Sequence, residues 1–126
     1  MGKKKVLVVD DSRTALLMET TILPKSEFEI VTANDGVEAL QKAAVENPDV
    51  ILMDVNMPRL DGLSACRELK RNPRTRDIPV ILVTTRGEEE HLTSGYLSGC
   101  SDYVTKPVDA IELVAKVRSV VGAAPC

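Results

Sequence analysis

The chain has 126 residues, close to the commonest domain size, so one domain is the default expectation. A hydrophobic share of 44% can supply a core, and an aromatic share of 2% leaves no stacking platform for single-stranded nucleic acid. Sixteen basic against nineteen acidic residues give a net charge of -3, which is no electrostatic footprint for nucleic acid.

Lys3-Lys4-Lys5 reads as a solvated lead-in, with a membrane or partner contact as its rival. Val6 to Val9 is apolar throughout and predicts a strand. Ser12 can cap a helix through Ala15, Leu16, Ile22 and Leu23, which Pro24 ends. Phe28, Ile30 and Val31 predict a second strand nearer an edge. Asn34-Asp35-Gly36 opens a helix with Val37, Leu40, Ala43 and Ala44 on one face, closed by Asn47-Pro48. Val50 to Met53 is the third strand, and Met57 to Gly62 is a loop entering a helix with Leu63, Cys66 and Leu69. Pro73 and Pro79 bracket a connection to the fourth strand, Val80 to Val83. Glu88 to Leu97 predicts a weak fourth helix, since Gly95 lowers its stability. Asp102 to Val104 is a short fifth strand, and Asp109 to Val121 is the last helix, with Ile111, Val114, Ala115 and Arg118 at helical spacing.

This alternation predicts an α/β domain with a parallel sheet, right-handed crossovers and helices on both faces. Strands that are apolar at every position fit a sheet covered on both sides. The domain is expected to fill residues 1–126, with its core at about 4–121 and residues 122–126 as a frayed tail. Met1-Gly2 and the short tail read as the ends of a complete protein, although an excised domain would look the same. Cys66, Cys100 and Cys126 fit neither a disulfide framework nor a zinc pattern, so reduced thiols and a cytoplasmic location are expected. No apolar stretch is long enough to span a membrane, and the N-terminus lacks a signal peptide pattern.

Polar residues follow the carboxyl ends of these strands: Asp10-Asp11, Asp54, Thr84 and Lys106. In an open parallel sheet those ends form the ligand crevice. Clustered carboxylates raise each other's pKa unless a cation compensates, and a hard divalent ion with oxygen ligands does so. Taken singly, the acids could cap helices or sit in loops, and Lys106 could be a surface lysine. One site explains all four placements together.

In this order and spacing, Asp10-Asp11-Ser12, Met53-Asp54-Val55-Asn56-Met57-Pro58, Asp61-Gly62, Val83-Thr84 and Tyr103-Val104-Thr105-Lys106-Pro107 resemble a response-regulator receiver domain of bacterial two-component signalling. The single-domain chemotaxis type is the variety they most resemble, and a phosphorelay shuttle fits too. The resemblance implies a flavodoxin-like, doubly wound five-stranded sheet of order 2-1-3-4-5 with five helices. Asp54 then corresponds to the phosphoacceptor, since a carboxylate can attack phosphorus. It further implies Mg²⁺ held by Asp11, Asp54 and the backbone carbonyl of Asn56, with Asp10 acting through a water. Lys106 and Thr84 would bind phosphoryl oxygens, and Thr84 with Tyr103 would form the switch pair. The Lys106-Pro107 peptide is typically cis in the family, while sequence alone leaves cis and trans open.

The same resemblance implies a sensor histidine kinase or phosphotransfer protein as donor and no enzymatic turnover of external substrate. Output would pass to a protein target through the face of the fourth helix, fifth strand and fifth helix. A homodimer through that face is compatible, and neither nucleic-acid contact nor membrane insertion is expected. His91, the one histidine, is expected on the solvated side of the fourth helix and not as a phosphorylation site. Thr85 stands where the family often has alanine, and Arg86 where other polar residues are common; with Asn56 they are candidates for tuning the acyl-phosphate lifetime. The alternatives are a phosphate-independent receiver-like scaffold and a small aspartyl-nucleophile phosphohydrolase. The latter usually places its nucleophile after the first strand and needs a substrate-binding insertion, for which there is no room here.

Overall fold

The computed structural model describes residues 3–57, 59–85 and 99–121. Its elements are β1 (Lys4–Val9), α1 (Arg13–Ile22), β2 (Phe28–Ala33), α2 (Gly36–Glu46), β3 (Val50–Asp54), α3 (Gly62–Arg71), β4 (Val80–Thr85), β5 (Asp102–Lys106) and α4 (Ala110–Val120). The strands form one five-stranded parallel sheet of order β2-β1-β3-β4-β5. This is the doubly wound order expected, with β2 on an edge. Four of the five expected helices lie among the described residues; the one expected over Glu88–Leu97, with His91, lies outside them.

Alternation along the strands divides the core in two. Val6, Val8, Val50, Leu52, Ile81, Val83 and Val104 pack with Leu16 and Leu23 beside α1 and with Leu113 and Val117 of α4. Leu7, Val9, Ile51, Met53, Val80 and Leu82 pack with Ala39, Ala43, Ala65, Cys66 and Leu69 of α2 and α3. Each fully buried aliphatic side chain stabilises the fold by about 1.5–3 kcal/mol before chain entropy is subtracted.

Two helices turn differently from the expected faces. In α2, Ala39 and Ala43 are buried while Val37 is exposed, because the small alanines let the helix lie close to the sheet. In α4, Leu113 and Val117, four residues apart, dock on the sheet and leave Ile111 82% exposed.

Every described helix begins in a loop leaving the carboxyl end of a strand. Ser12, Asp35, Asp61 and Asp109 are their N-caps, each side chain accepting a backbone N–H from Ala15, Glu38, Ser64 and Glu112 respectively. The positive ends of four helix dipoles are thereby gathered at the carboxyl side of the sheet. No helix among the described residues is long and apolar enough to cross a membrane.

Candidate functional site

The strand alternation that builds the two cores also sorts the polar residues. Asp54 and Lys106 share the strand parity of Leu52 and Val104, and Asp10 continues that of Val6 and Val8, so all three belong to the α1/α4 side. Thr84 shares the parity of Val80 and Leu82 and belongs to the α2/α3 side, where Tyr103 also packs.

Asp10 is fully buried. Its Oδ1 accepts the Ser12 N–H at 3.0 Å, and its Oδ2 accepts Lys106 Nζ at 3.2 Å. The same ammonium lies 3.4 Å from Asp54 Oδ1. One carboxylate oxygen each from Asp10, Asp11 and Asp54 lies within 4.8 Å of the others, with Asp11 exposed and its companions buried. Burial first, and then the charge of Asp10, push the Asp54 carboxyl up to about 6, against the pull of Lys106. On Lys106 itself burial is the largest influence and acts downward, but Asp54 and Asp10 together outweigh it and hold the ammonium above its ordinary value. A single lysine thus serves two buried carboxylates, and the cluster remains short of positive charge.

Two buried oxygens here, Asp54 Oδ1 and Thr84 Oγ1, have no hydrogen-bond partner among the described residues. Buried polar atoms are ordinarily paired, and exceptions call for a functional reason. An acid triad in which Asp54 Oδ1 has an ion pair with Lys106 but no hydrogen bond among the described residues suits a hard cation such as Mg²⁺, which takes one or two carboxylates and keeps several waters.

The loop after β3 is fixed by close backbone approach. The Val55 N–H donates to the Val83 carbonyl at 3.0 Å, and the Gly62 N–H to the Val55 carbonyl at 2.9 Å. A Cβ on Gly62 would stand 2.3 Å from the Asp54 carbonyl oxygen, so only glycine lets α3 start this near the strand end. Gly36 faces the same constraint, 2.4 Å from the Leu60 carbonyl oxygen. Arg59, in the left-handed region at φ 67°, pairs with Asp35, the α2 cap. The loop bearing Asn56 is therefore tied to both α2 and α3. Asn56 itself is exposed.

The Lys106–Pro107 peptide is cis. Thr84 is 1% exposed, and Thr85 beside it is exposed. Tyr103 is half-buried; Lys116 of α4 lies 5.0 Å from its ring centroid and donates to its carbonyl at 2.6 Å. Arg86 and Pro58 lie outside the described residues. The structure thus brings together Asp10, Asp11, Asp54 and Lys106, with Thr84 on the neighbouring strand.

Sequence reading missed the Asp35–Arg59 pair, Lys116 beside Tyr103, and a buried acid outside the acid cluster, Glu19. Glu19 is 1% exposed and sits in the apolar stripe of α1 between Leu16 and Leu23. An acid at i+3 from one buried leucine and i−4 from another was the available signal.

A flavodoxin-like sheet with an acid triad and a lysine at its carboxyl edge defines a receiver-type signalling module. The model of the response regulator receiver domain matches residues 6–118, and the chain belongs to that family. It is 44% identical over 115 residues to response regulator PleD of Caulobacter vibrioides, covering 91% of this chain but 25% of that protein. It is 40% identical over 116 residues to protein PilH of Pseudomonas aeruginosa, covering 92% of this chain and 96% of that protein. The chain therefore spans a quarter of one of these relatives and nearly the whole of the other. Among solved structures, chemotaxis protein CheY4 of Vibrio cholerae matches with a TM-score of 0.88 and 32% identity, covering 94% of this chain and 99% of that one. The receiver domain of sensor histidine kinase PA1611 of Pseudomonas aeruginosa matches with a TM-score of 0.87 and 27% identity, covering 96% of this chain and 99% of that one. That structure has a magnesium ion coordinated in its active site cleft.

Proposed function

We propose that the chain is a phosphorylation-activated switch whose phosphoacceptor is Asp54. The observation that carries this reading is the Asp54 carboxylate itself. It is buried at a strand end, paired with Lys106, and grouped with two further acids. In this reading an Asp54 oxygen attacks phosphorus, and the bond from phosphorus to the donor nitrogen breaks. The donor is a phosphohistidine on a sensor kinase or phosphotransfer protein. Phosphoryl transfer depends on positioning and charge neutralisation more than on covalent assistance.

Asp11, Asp54 and the Asn56 carbonyl would hold Mg²⁺, with Asp10 acting through a water. The bound cation would neutralise charge on the phosphoryl oxygens. Lys106, which pairs with Asp10 and Asp54, would bind a phosphoryl oxygen, and Thr84 would supply a hydroxyl that has no hydrogen-bond partner among the described residues. Movement of Thr84 toward the phosphoryl group would release space on the α2/α3 side, into which Tyr103 turns. That is a population shift between two arrangements of one fold. Asn56, Thr85 and Arg86 would tune the acyl-phosphate lifetime by controlling the attacking water. The signal would leave through a protein contact on the face of β5, α4 and the segment preceding β5. The protein turns over no external substrate in this reading.

The test is the intact mass of the native chain and of Asp54→Asn after incubation with acetyl phosphate, with and without Mg²⁺. One added phosphoryl group, dependent on Mg²⁺ and absent from the variant, is the expected result. A native chain that gains nothing, from acetyl phosphate or from a kinase, would favour the phosphate-independent scaffold.

A further inference from the structure

Lys116 leaves α4 and crosses to β5, which is an edge strand of the sheet. Its ammonium donates to the Tyr103 carbonyl at 2.6 Å and to Asp102 Oδ1 at 3.1 Å, and lies 3.6 Å from Glu112 Oε2. Asp102 Oδ1 also accepts the Tyr103 N–H at 2.8 Å. The ammonium is thus held by a backbone oxygen and two carboxylates, and the Lys116 side chain is only 24% exposed. From that point it stands 5.0 Å from the centroid of the Tyr103 ring, within the range at which a cation is attracted to an aromatic face. Ion pairs near a surface contribute little to stability by themselves, so the carboxylates matter here as anchors that keep the cation against the ring.

Tyr103 is half-buried and packs on the α2/α3 side, whereas α4 packs on the opposite face. Because β5 is an edge, a side chain of α4 can reach round it to a ring of the other face. Tyr103 is in register with Leu82, and Thr84 is the next residue of β4 on that face. A ring that turns toward Thr84 moves away from the sheet edge and from the ammonium, which stays on its backbone and carboxylate anchors. The cation therefore contacts one of two ring positions. A group that favours one state over another shifts the balance between them by its differential interaction.

We propose that Lys116 is a positioning residue for Tyr103, a fixed cation that holds the ring at the sheet edge and so opposes the turn that accompanies phosphorylation. This rests on the receiver reading above. Loss of the cation raises the population of the turned ring before any phosphoryl group arrives. Coupling between two equilibria is reciprocal, so a chain whose ring turns more readily also binds a phosphoryl mimic more tightly. Lys116 thereby sets how far the unphosphorylated chain is held from its signalling state, and it does so from the helix that carries the proposed output face.

The test reads two quantities: the population of the turned ring in the unphosphorylated chain, by NMR relaxation dispersion at Tyr103, and the affinity for beryllofluoride, a phosphoryl mimic, with Mg²⁺ present. Lys116→Met keeps the stem and removes the charge. It should raise the turned population and the affinity by about 2–5-fold each, the size of a partly exposed cation–ring contact. Lys116→Arg keeps a cation that stacks on aromatic faces and should behave as native. In a Tyr103→Leu background, Lys116→Met should leave the affinity unchanged, since the double-mutant cycle isolates the ring contact. A native turned population in Lys116→Met would overturn the proposal. So would an affinity gain of the same size in the Tyr103→Leu background, or a loss of affinity that follows a lowered urea midpoint. If the native chain binds no beryllofluoride, the receiver reading fails on its own, and the ring population still decides the role of Lys116.

Discussion

The two faces of the sheet are packed alike but charged very differently. On the α2/α3 side the strands present Leu7, Val9, Ile51, Met53 and Leu82, the polar members toward the carboxyl end are the neutral Thr84 and Thr105, and Tyr103 lies further back in register with Leu82. On the α1/α4 side an equally aliphatic layer ends in Asp10, Asp54 and Lys106, with Glu19 inside the helix stripe. The difference teaches a division of labour. In the proposed reading, the charges that bind and react are stacked on one face, and the switch residues Thr84 and Tyr103 are on the other. The sheet is one residue thick between them: Asp54 pairs in register with Val83, whose successor is Thr84. In the proposed reading, phosphorylation on one face is sensed on the other across a single strand.

Four substitutions test how far the two faces differ. The largest effect is expected from removing packing common to both faces. Leu52→Ala on the α1/α4 side and Met53→Ala on the α2/α3 side, both fully buried, should each cost about 2–5 kcal/mol in urea unfolding. Costs that differed by more than this range would show that the two layers are not equivalent.

Next comes Asp54→Asn. In the folded chain the Asp54 carboxyl is raised from its ordinary 3.8 to about 6, so the folded state holds that proton more tightly than the unfolded one. This contribution to stability is present at low pH and declines as pH rises through that window. At pH 7 without Mg²⁺, Asp54→Asn should therefore be about 1–3 kcal/mol more stable than the native chain, with the gain shrinking as pH falls below 6. A variant less stable than the native chain at pH 7 would mean that Lys106 already compensates the carboxylate in full.

The smallest effect is expected from Thr84→Val. The hydroxyl is buried and has no hydrogen-bond partner among the described residues, so replacing it with a methyl group should leave stability unchanged or raise it by about 1 kcal/mol. Phosphorylation of this variant should persist, while the Tyr103 ring resonances should no longer shift when the chain is phosphorylated. A Tyr103 shift of native size would remove Thr84 from the switch.

Most of the fold was legible in the sequence because β1, β3 and β4 carry continuous apolar runs and the helices carry clear caps. Ser12, Asp35 and Gly62 mark helix starts by local chemistry that tertiary packing did not override. Helix faces were less legible: spacing alone favoured Val37 and Ile111, whereas packing chose Ala39 and Leu113. Both choices follow from how closely each helix approaches the sheet, which no single helix encodes. The strand-end residues of the site were legible because a parallel sheet collects its carboxyl ends. Glu19 was not, since its meaning depends on what lies opposite α1. The Arg59–Asp35 pair joins residues 24 apart and has no local signature.

In the proposed reading Asp54, and neither Asp10 nor Asp11, carries the phosphoryl group. The most direct measurement is borohydride reduction of the phosphorylated native chain, followed by peptide mapping. Borohydride converts an aspartyl phosphate to homoserine. Homoserine at position 54 alone is the predicted result. Homoserine at position 10 or 11, or at none of the three in a chain that has gained a phosphoryl group, would rule out Asp54 as the phosphoacceptor.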